Sequence, residues 1–406
     1  MNKIYDLIVV GAGAAGIISA IVAAREKKTV LLLEKLPQIA AKLKATGGGR
    51  CNLTNTLSNE DFMAKFGRDG RFMQDALADF NHKDLVKFFD EIGVKTHAPD
   101  GFRIFPSSHS SSTIIEALHV EMDSLHVEIK TKQSVQELLH EVCQLSKKDK
   151  IIGLKTNTDT FYSSNIIVAT GGLGYPVLGA QGDGYEMAKN LGHSVTQLSP
   201  AMMPLRTKED WVANCRADTI AKVEMRVDMK KHKKLKAKGD LIFTKSGIRG
   251  PVVLDFAREI TPLLAKYDEV PVLMNLTKGK NQEELSKYLK EKSIFTLLPK
   301  PLALEILKIA NIDEDFIYSK ISGLQREKLL QLLVWTPLTI NGHDGFKMAM
   351  ITRGGIKLKE INPKTMQSKI IKGLYFCGEV MNLDGPCGGY NLQWSFASGY
   401  LAGKLL

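Results

Sequence analysis

YDLIVVGAGAAGIISAIVAAREKKTVLLLE, residues 5–34, decides the fold. Residues 5–10 form a strand that, past Asp6, is apolar without alternation, the pattern of a strand buried on both faces of a parallel sheet. Gly11-Ala12-Gly13-Ala14-Ala15-Gly16 follows at once and opens a helix over 17–27; a second strand over 29–33 ends at Glu34. In such a turn Gly11 reverses the chain, Gly13 lets a pyrophosphate approach the backbone, and Gly16 brings helix and strand together. Ala14 and Ala15 lie in the first helical turn, where unpaired N–H groups face an anion. Glu34 is placed to accept from a ribose hydroxyl, and Lys35 and Lys42 are counted with it as cofactor-binding residues. The unit reads as a dinucleotide-binding βαβ. By itself it does not choose between FAD and NAD(P).

The choice comes from the other end, GLYFCGEVMNLDGPCGGYNLQWSFASGYLAG at 373–403. A short buried strand runs into Gly378-Glu379; Asp384, Gly388 and Gly389 then crowd before a helix that begins with Tyr390 and Asn391. These residues are expected to reach the middle and ring end of a long cofactor. NAD needs no such distant closure, so the pairing of the two ends favours FAD. Residues 166–172 (IIVATGG) form a core strand whose end, Thr170 and Gly171, is suited to pass under that cofactor.

A third glycine-rich segment is TGGGRCNLTN at 46–55. Gly48 and Gly49 remove side chains where a flat ring can lie, and Arg50, Asn52, Thr54 and Asn55 follow as donors. Cys51 has two readings: a small packing residue, or a thiol that delivers a proton beside a redox centre. Arg50 next to it would depress the thiol pKa. His109, among the serines of 107–112, is either a proton relay or part of a helix N-cap cluster.

With 406 residues, 44% of them hydrophobic, the chain can bury cores for two or three domains. No apolar run approaches the roughly 18–20 residues of a membrane span, and residues 5–10 lead directly into a motif rather than a cleavable signal. Cys51, Cys143, Cys215, Cys377 and Cys387 are scattered without CxxC spacing. That argues against a disulfide framework or a metal site and for the reducing cytoplasm. The formal charge of +11 fits either a basic soluble enzyme or a protein with an anionic partner such as RNA. Lys230, Lys231, Lys233, Lys234, Lys236 and Lys238 form the densest basic run and read as an exposed hairpin tip, the candidate nucleic-acid contact. Residues 71–92 read as helix; 127–130, 135–139, 151–155 and 160–162 as a small meander; about 195–275 as strand-like; and 282–335 as helical.

The motifs at 11–16, 46–55, 169–172, Phe243-Thr244 with Gly250-Pro251, 352–356 and 373–399 resemble those of bacterial two-dinucleotide-fold NAD(P)/FAD-dependent oxidoreductases. That family includes aminoacetone-oxidase-like, bile-acid enone reductase-like and ribosomal RNA dihydrouridine synthase-like flavoproteins. The resemblance implies an α/β, doubly wound FAD-binding domain (1–194 and 345–406) with an inserted β-barrel (195–280 and 336–344) and a small helical subdomain (281–335). It also implies an FAD-dependent oxidoreductase acting on a polarised C=C bond, uracil of 23S rRNA leading. In that reaction a hydride goes to uracil C6 and a general acid protonates C5; Cys51 is the first candidate acid and His109 the second. The base has to leave its stack to react. No second nucleotide-binding βαβ is visible, so NAD(P)H is expected to bind transiently as donor, or electrons come from elsewhere. Two alternatives stand: a small-molecule enone reductase or amine oxidase, and an RNA- or ribosome-binding protein with structural flavin.

Overall fold

A computed structural model describes residues 3–142, 149–216 and 219–406. It contains two compact units, Met1–Leu198 with Ile351–Leu406, and Ser199–Met350. Cys143 lies outside the described residues; Cys51, Cys215, Cys377 and Cys387 form no disulfide with one another. No helix among the described residues is long and apolar enough to cross a membrane.

In chain order the first unit supplies β1 (Leu7–Val10), α1 (Ala14–Arg25), β2 (Val30–Leu33), β3 (Glu128–Lys130) and β4 (Ile166–Val168). The second unit follows with β5 (Leu205–Thr207), β6 (Thr219–Val227), β7 (Lys236–Phe243), β8 (Gly247–Arg249), α2 (Pro251–Tyr267) and β9 (Val270–Asn275). It continues through α3 (Gln282–Glu291), α4 (Lys300–Ala310), α5 (Gly323–Val334) and β10 (Thr336–His343). The chain then re-enters the first unit with β11 (Leu374–Phe376) and α6 (Tyr390–Gly403).

The first unit is built on a parallel sheet ordered β11-β4-β1-β2-β3. Val9 stands between Ile167 and Leu32, and Ile167 also faces Tyr375. β1, β2, β4 and β11 are wholly buried, which explains why they read as unbroken apolar runs. The strand order reverses between β1 and β4, so the crevice beyond their carboxyl ends is the place where such sheets bind ligands. The first and last helices, α1 and α6, pack on each other through small residues. A Cβ on Gly399 would lie 2.3 Å from Ala15 O, and one on Gly403 2.6 Å from Ser19 O.

The second unit is a closed antiparallel barrel ordered β5-β8-β7-β6-β9-β10. Two expectations need correction. Residues 251–267, read as strand-like, form α2, with Pro251 in its first turn and Val252, Val253, Phe256, Ala257 and Ile260 buried. Residues 128–130 leave the meander and complete the parallel sheet beside β2. The helices α3, α4 and α5 share one apolar core with the barrel: Leu285, Leu302 and Leu329 belong to the same cluster as Met225 and Val272.

Candidate cofactor site

The α1 N-terminus sits at the switch point of the sheet. Its cap is Gly13, with no side-chain cap and no acidic residue in the first turn. The orphan N–H groups of a 12-residue helix therefore remain for an anion. A Cβ on Gly16 would meet Gly11 O at 1.9 Å and one on Gly11 would meet Ala169 O at 2.7 Å, whereas Gly13 opens on nothing within 4 Å. The first two glycines thus fit the chain to itself, and the third leaves space for a ligand. Glu34 accepts from Ala12 N–H at 3.0 Å and Leu36 N–H at 2.9 Å, bracing the turn. Each of its oxygens keeps a further lone pair.

The terminal motif arrives beside this turn. Gly378 N–H donates to Ser398 Oγ at 2.9 Å, and a Cβ on Gly378 would touch the Ala15 Cβ at 3.0 Å. Glu379 pairs with Lys42 at 2.8 Å and accepts from Thr352 N–H at 2.7 Å; Thr352 Oγ1 in turn accepts from Leu173 N–H at 2.7 Å. This seam ties residues near 42, 173, 352 and 379 together. Lys35 is likewise engaged, in an ion pair with Asp183. Lys42 and Lys35 therefore hold protein carboxylates rather than standing free for a phosphate.

Gly47, Gly48 and Gly49 all adopt left-handed backbone, with φ of 59°, 66° and 85°. The latter two have nothing within 4 Å of a would-be Cβ. Only glycine adopts three such conformations in succession at low cost. Arg50 is exposed; its Nε donates to Gly47 O at 3.3 Å and its guanidinium lies 5.6 Å from the Phe105 ring centroid. Cys51, by contrast, is 0% exposed. Burial pushes its thiol up to about 11, the opposite of the depression expected from Arg50, whose charge points away over Phe105. A side chain with no exposed surface cannot touch a substrate that the chain does not already enclose. Cys51 packs inside the chain, and this burial speaks against its thiol as the proton donor.

Asn52 and Asn55, expected as donors to a cofactor, clamp the terminal motif instead. Asn55 Nδ2 donates to Gly388 O at 2.9 Å. With its amide oxygen turned toward Gly389, Asn52 accepts from Gly389 N–H at 3.0 Å. Asn391 closes its own loop, accepting from Gly385 N–H at 2.7 Å and donating to Gly385 O at 2.9 Å. Tyr390 is buried against Phe62 and Phe66, with centroids 5.0 Å and 6.2 Å away, so its ring supports the turn from below. Asp384 is half-buried in the same turn. His109 is exposed, its ring set edge-on against His97 at 4.6 Å and 6.3 Å from Phe105. The N-cap of the following helix, Ser111–Ser124, is Ser110.

One residue of the site, Tyr185, carries no sequence signal. Thr170 was expected; its Oγ1 is buried without a partner, and so is the Tyr185 hydroxyl, which nothing in the sequence marked. Gly171, next to Thr170, opens on nothing within 4 Å. An uncapped helix end for a pyrophosphate, open glycines for a flat ring and unpartnered buried hydroxyls are a chemistry that fits FAD. Such a cradle at the switch point of a doubly wound sheet, closed by the two ends of one chain, defines a flavoprotein oxidoreductase.

The comparisons agree. Residues 5–405 match the family described as HI0933-like protein Rossmann domain, and the chain belongs to that family. It is an FAD-dependent oxidoreductase. The 3-dehydro-bile acid delta(4,6)-reductase of Clostridium scindens is 31% identical over 417 residues, covering 100% of this chain and 98% of its own. A ribosomal RNA dihydrouridine synthase of Haemophilus influenzae is 29% identical, covering 98% of each. The crystal structure of 3-ketosteroid delta1-dehydrogenase from Sterolibacterium denitrificans superposes with a TM-score of 0.58 at 11% identity, covering 100% of this chain and 99% of its own. At that identity the likeness is one of fold.

The lysine-rich segment belongs to the second unit. All six lysines are exposed, and Lys230–His232 makes the turn between β6 and β7. Lys236 and Lys238, expected at the tip, stand on the barrel wall in β7.

Proposed function

We propose that the chain saturates a carbon–carbon double bond conjugated to a carbonyl, and that this bond is the 5,6 bond of a uracil in large-subunit ribosomal RNA. A delta(4,6) reduction and dihydrouridine formation, the activities in the two relatives' names, share that chemistry. The observation that carries the RNA reading is the hairpin, six exposed lysines within nine residues, none in an ion pair with a described carboxylate. Such a run attracts a phosphodiester backbone.

Reduced FAD, when bound, supplies the hydride, and NAD(P)H is proposed as its transient electron source. The α1 N-terminus, through the N–H groups of Ala14 and Ala15, would hold the pyrophosphate. Gly48 and Gly49 leave room for a ring, and Lys42, Glu379 and Thr352 fix the seam beside it. With Cys51 enclosed, His109 is the remaining proposed donor of the proton for C5, exposed one ring away from the triple-glycine loop. Nucleoside mass spectrometry of 23S rRNA tests the proposal. Dihydrouridine should disappear when the gene is deleted and return with the gene supplied in trans; an unchanged level refutes it. The full-length match to a bile-acid reductase favours a second reading, a small-molecule enone reductase. Under that reading the purified holoprotein consumes NAD(P)H with a steroid enone in the absence of RNA.

A further inference from the structure

Across the barrel wall β6 and β7 are antiparallel neighbours, with Glu224 directly opposite Lys238 and Arg226 directly opposite Lys236. The first pair matches charges. The second places two cations side by side on one face, an arrangement that destabilises a sheet. Met225 and Val227 point into the core, so Arg226 and Lys236 face outward. No carboxylate oxygen lies within 4 Å of either cation among the described residues. Arg226 is not loose: its guanidinium lies over the Trp335 ring, 3.8 Å from the centroid. An arginine stacked in this way loses little freedom on binding and keeps its N–H fork for a bidentate acceptor.

We infer that Arg226 and Lys236, oriented by Trp335, form a phosphate clamp on the barrel wall that takes the sugar-phosphate backbone of an RNA strand. The lysines of the adjoining turn, Lys230, Lys231, Lys233 and Lys234, provide the diffuse attraction, and the wall pair provides a fixed contact. A polyanion lying across the like-charge pair would relieve its repulsion. This inference rests on the proposed RNA substrate, and it names where the protein grips that substrate away from the base.

The test measures binding of a fluorescent uridine-containing RNA stem-loop to the full-length holoprotein across a salt series. Each phosphate contact contributes about 0.7 to the slope of log K against log[salt] for a single strand. Arg226→Gln with Lys236→Gln should therefore lower the slope by about 1.4 and weaken binding roughly tenfold at 0.15 M salt. FAD content should stay the same, and the melting temperature should hold or rise because the repulsion is gone. Arg226→Lys should keep the slope yet bind several-fold more weakly, because the stacked fork is lost. Unchanged affinity and slope in the double variant overturn the clamp. So does a fall in melting temperature with RNA binding intact, which would make the pair structural. An Arg226→Lys protein equal to the parent overturns the role of Trp335. Binding to anionic lipid vesicles with no binding to the RNA overturns the choice of partner. Binding is read without turnover. A clamp that responds as expected while rRNA uridine stays unreduced refutes the substrate proposal alone.

Discussion

Gly399→Ala should loosen the seam on which the cofactor site is built. A methyl group there would stand 2.3 Å from Ala15 O and 2.5 Å from Ile18 Cγ2. Carbon atoms of side chains do not come closer than about 3.0 Å to such neighbours, so α1 and α6 must separate by roughly 0.7 Å along this contact. Overpacking of this kind costs about 1–3 kcal/mol. Against it, alanine replaces glycine inside a helix, a gain of about 1 kcal/mol. The net loss is about 0–2 kcal/mol, a fall of up to about 8 °C in the melting temperature of the first unit. Gly323→Ala is the control, since nothing lies within 4 Å of its would-be Cβ at the start of α5. It should be neutral or stabilise by up to about 1 kcal/mol. Thermal unfolding followed by circular dichroism separates the two. If Gly399→Ala is as stable as Gly323→Ala, the close contact of first and last helices is refuted.

The Cys51 thiol, pushed up from 9.0 to about 11 by burial, stays neutral in the folded chain where the unfolded chain ionises. Because the folded value is the higher one, stability is complete below pH 9 and falls by about 3 kcal/mol as pH rises toward 11. Cys51→Ala should flatten that part of the stability curve, and native Cys51 should resist iodoacetamide until denatured while exposed Cys387 reacts; rapid labelling of the Cys51 peptide in the native protein, read by mass spectrometry, contradicts its burial. Glu379→Gln keeps an acceptor for Thr352 N–H but loses the charge paired with Lys42, at a cost of about 1 kcal/mol. Glu379→Ala should cost about 1–3 kcal/mol more in urea melts, since Thr352 N–H is then unpaired; equal losses would mean that the hydrogen bond is absent. Tyr185→Phe removes a buried hydroxyl that has no partner, so FAD-free protein should be no less stable; a loss above about 2 kcal/mol would reveal a bond.

The parts of this fold written in local pattern were readable from the chain. β1, the 11–16 turn and β2 are each set by their own residues, and β11 with its following glycines is equally local. What escaped depends on partners far away in sequence. Residues 251–267 lie in a stretch that reads as strand-like, with Pro251 as a break; in fact Pro251 suits a first helical turn and α2 accommodates Pro262 in its interior. Glu128–Lys130 is too short to declare its sheet, and only pairing with Leu31–Leu33 assigns it. Asn52 and Asn55 look like ligand donors because the sequence cannot show that Gly388 and Gly389 already use them. Cys51 looks reactive among polar neighbours, yet its left-handed backbone, φ 59°, turns the thiol inward.

The central claim is that the two ends of the chain make a single FAD cradle. Flavin stoichiometry of the full-length protein, measured by titration with FAD and release on denaturation, tests it most directly. The account predicts one FAD per chain, and no measurable uptake by folded Gly16→Ala, whose methyl group would sit 1.9 Å from Gly11 O. A folded parent protein that takes up no FAD, or a Gly16→Ala protein that binds it equally well, would contradict the account.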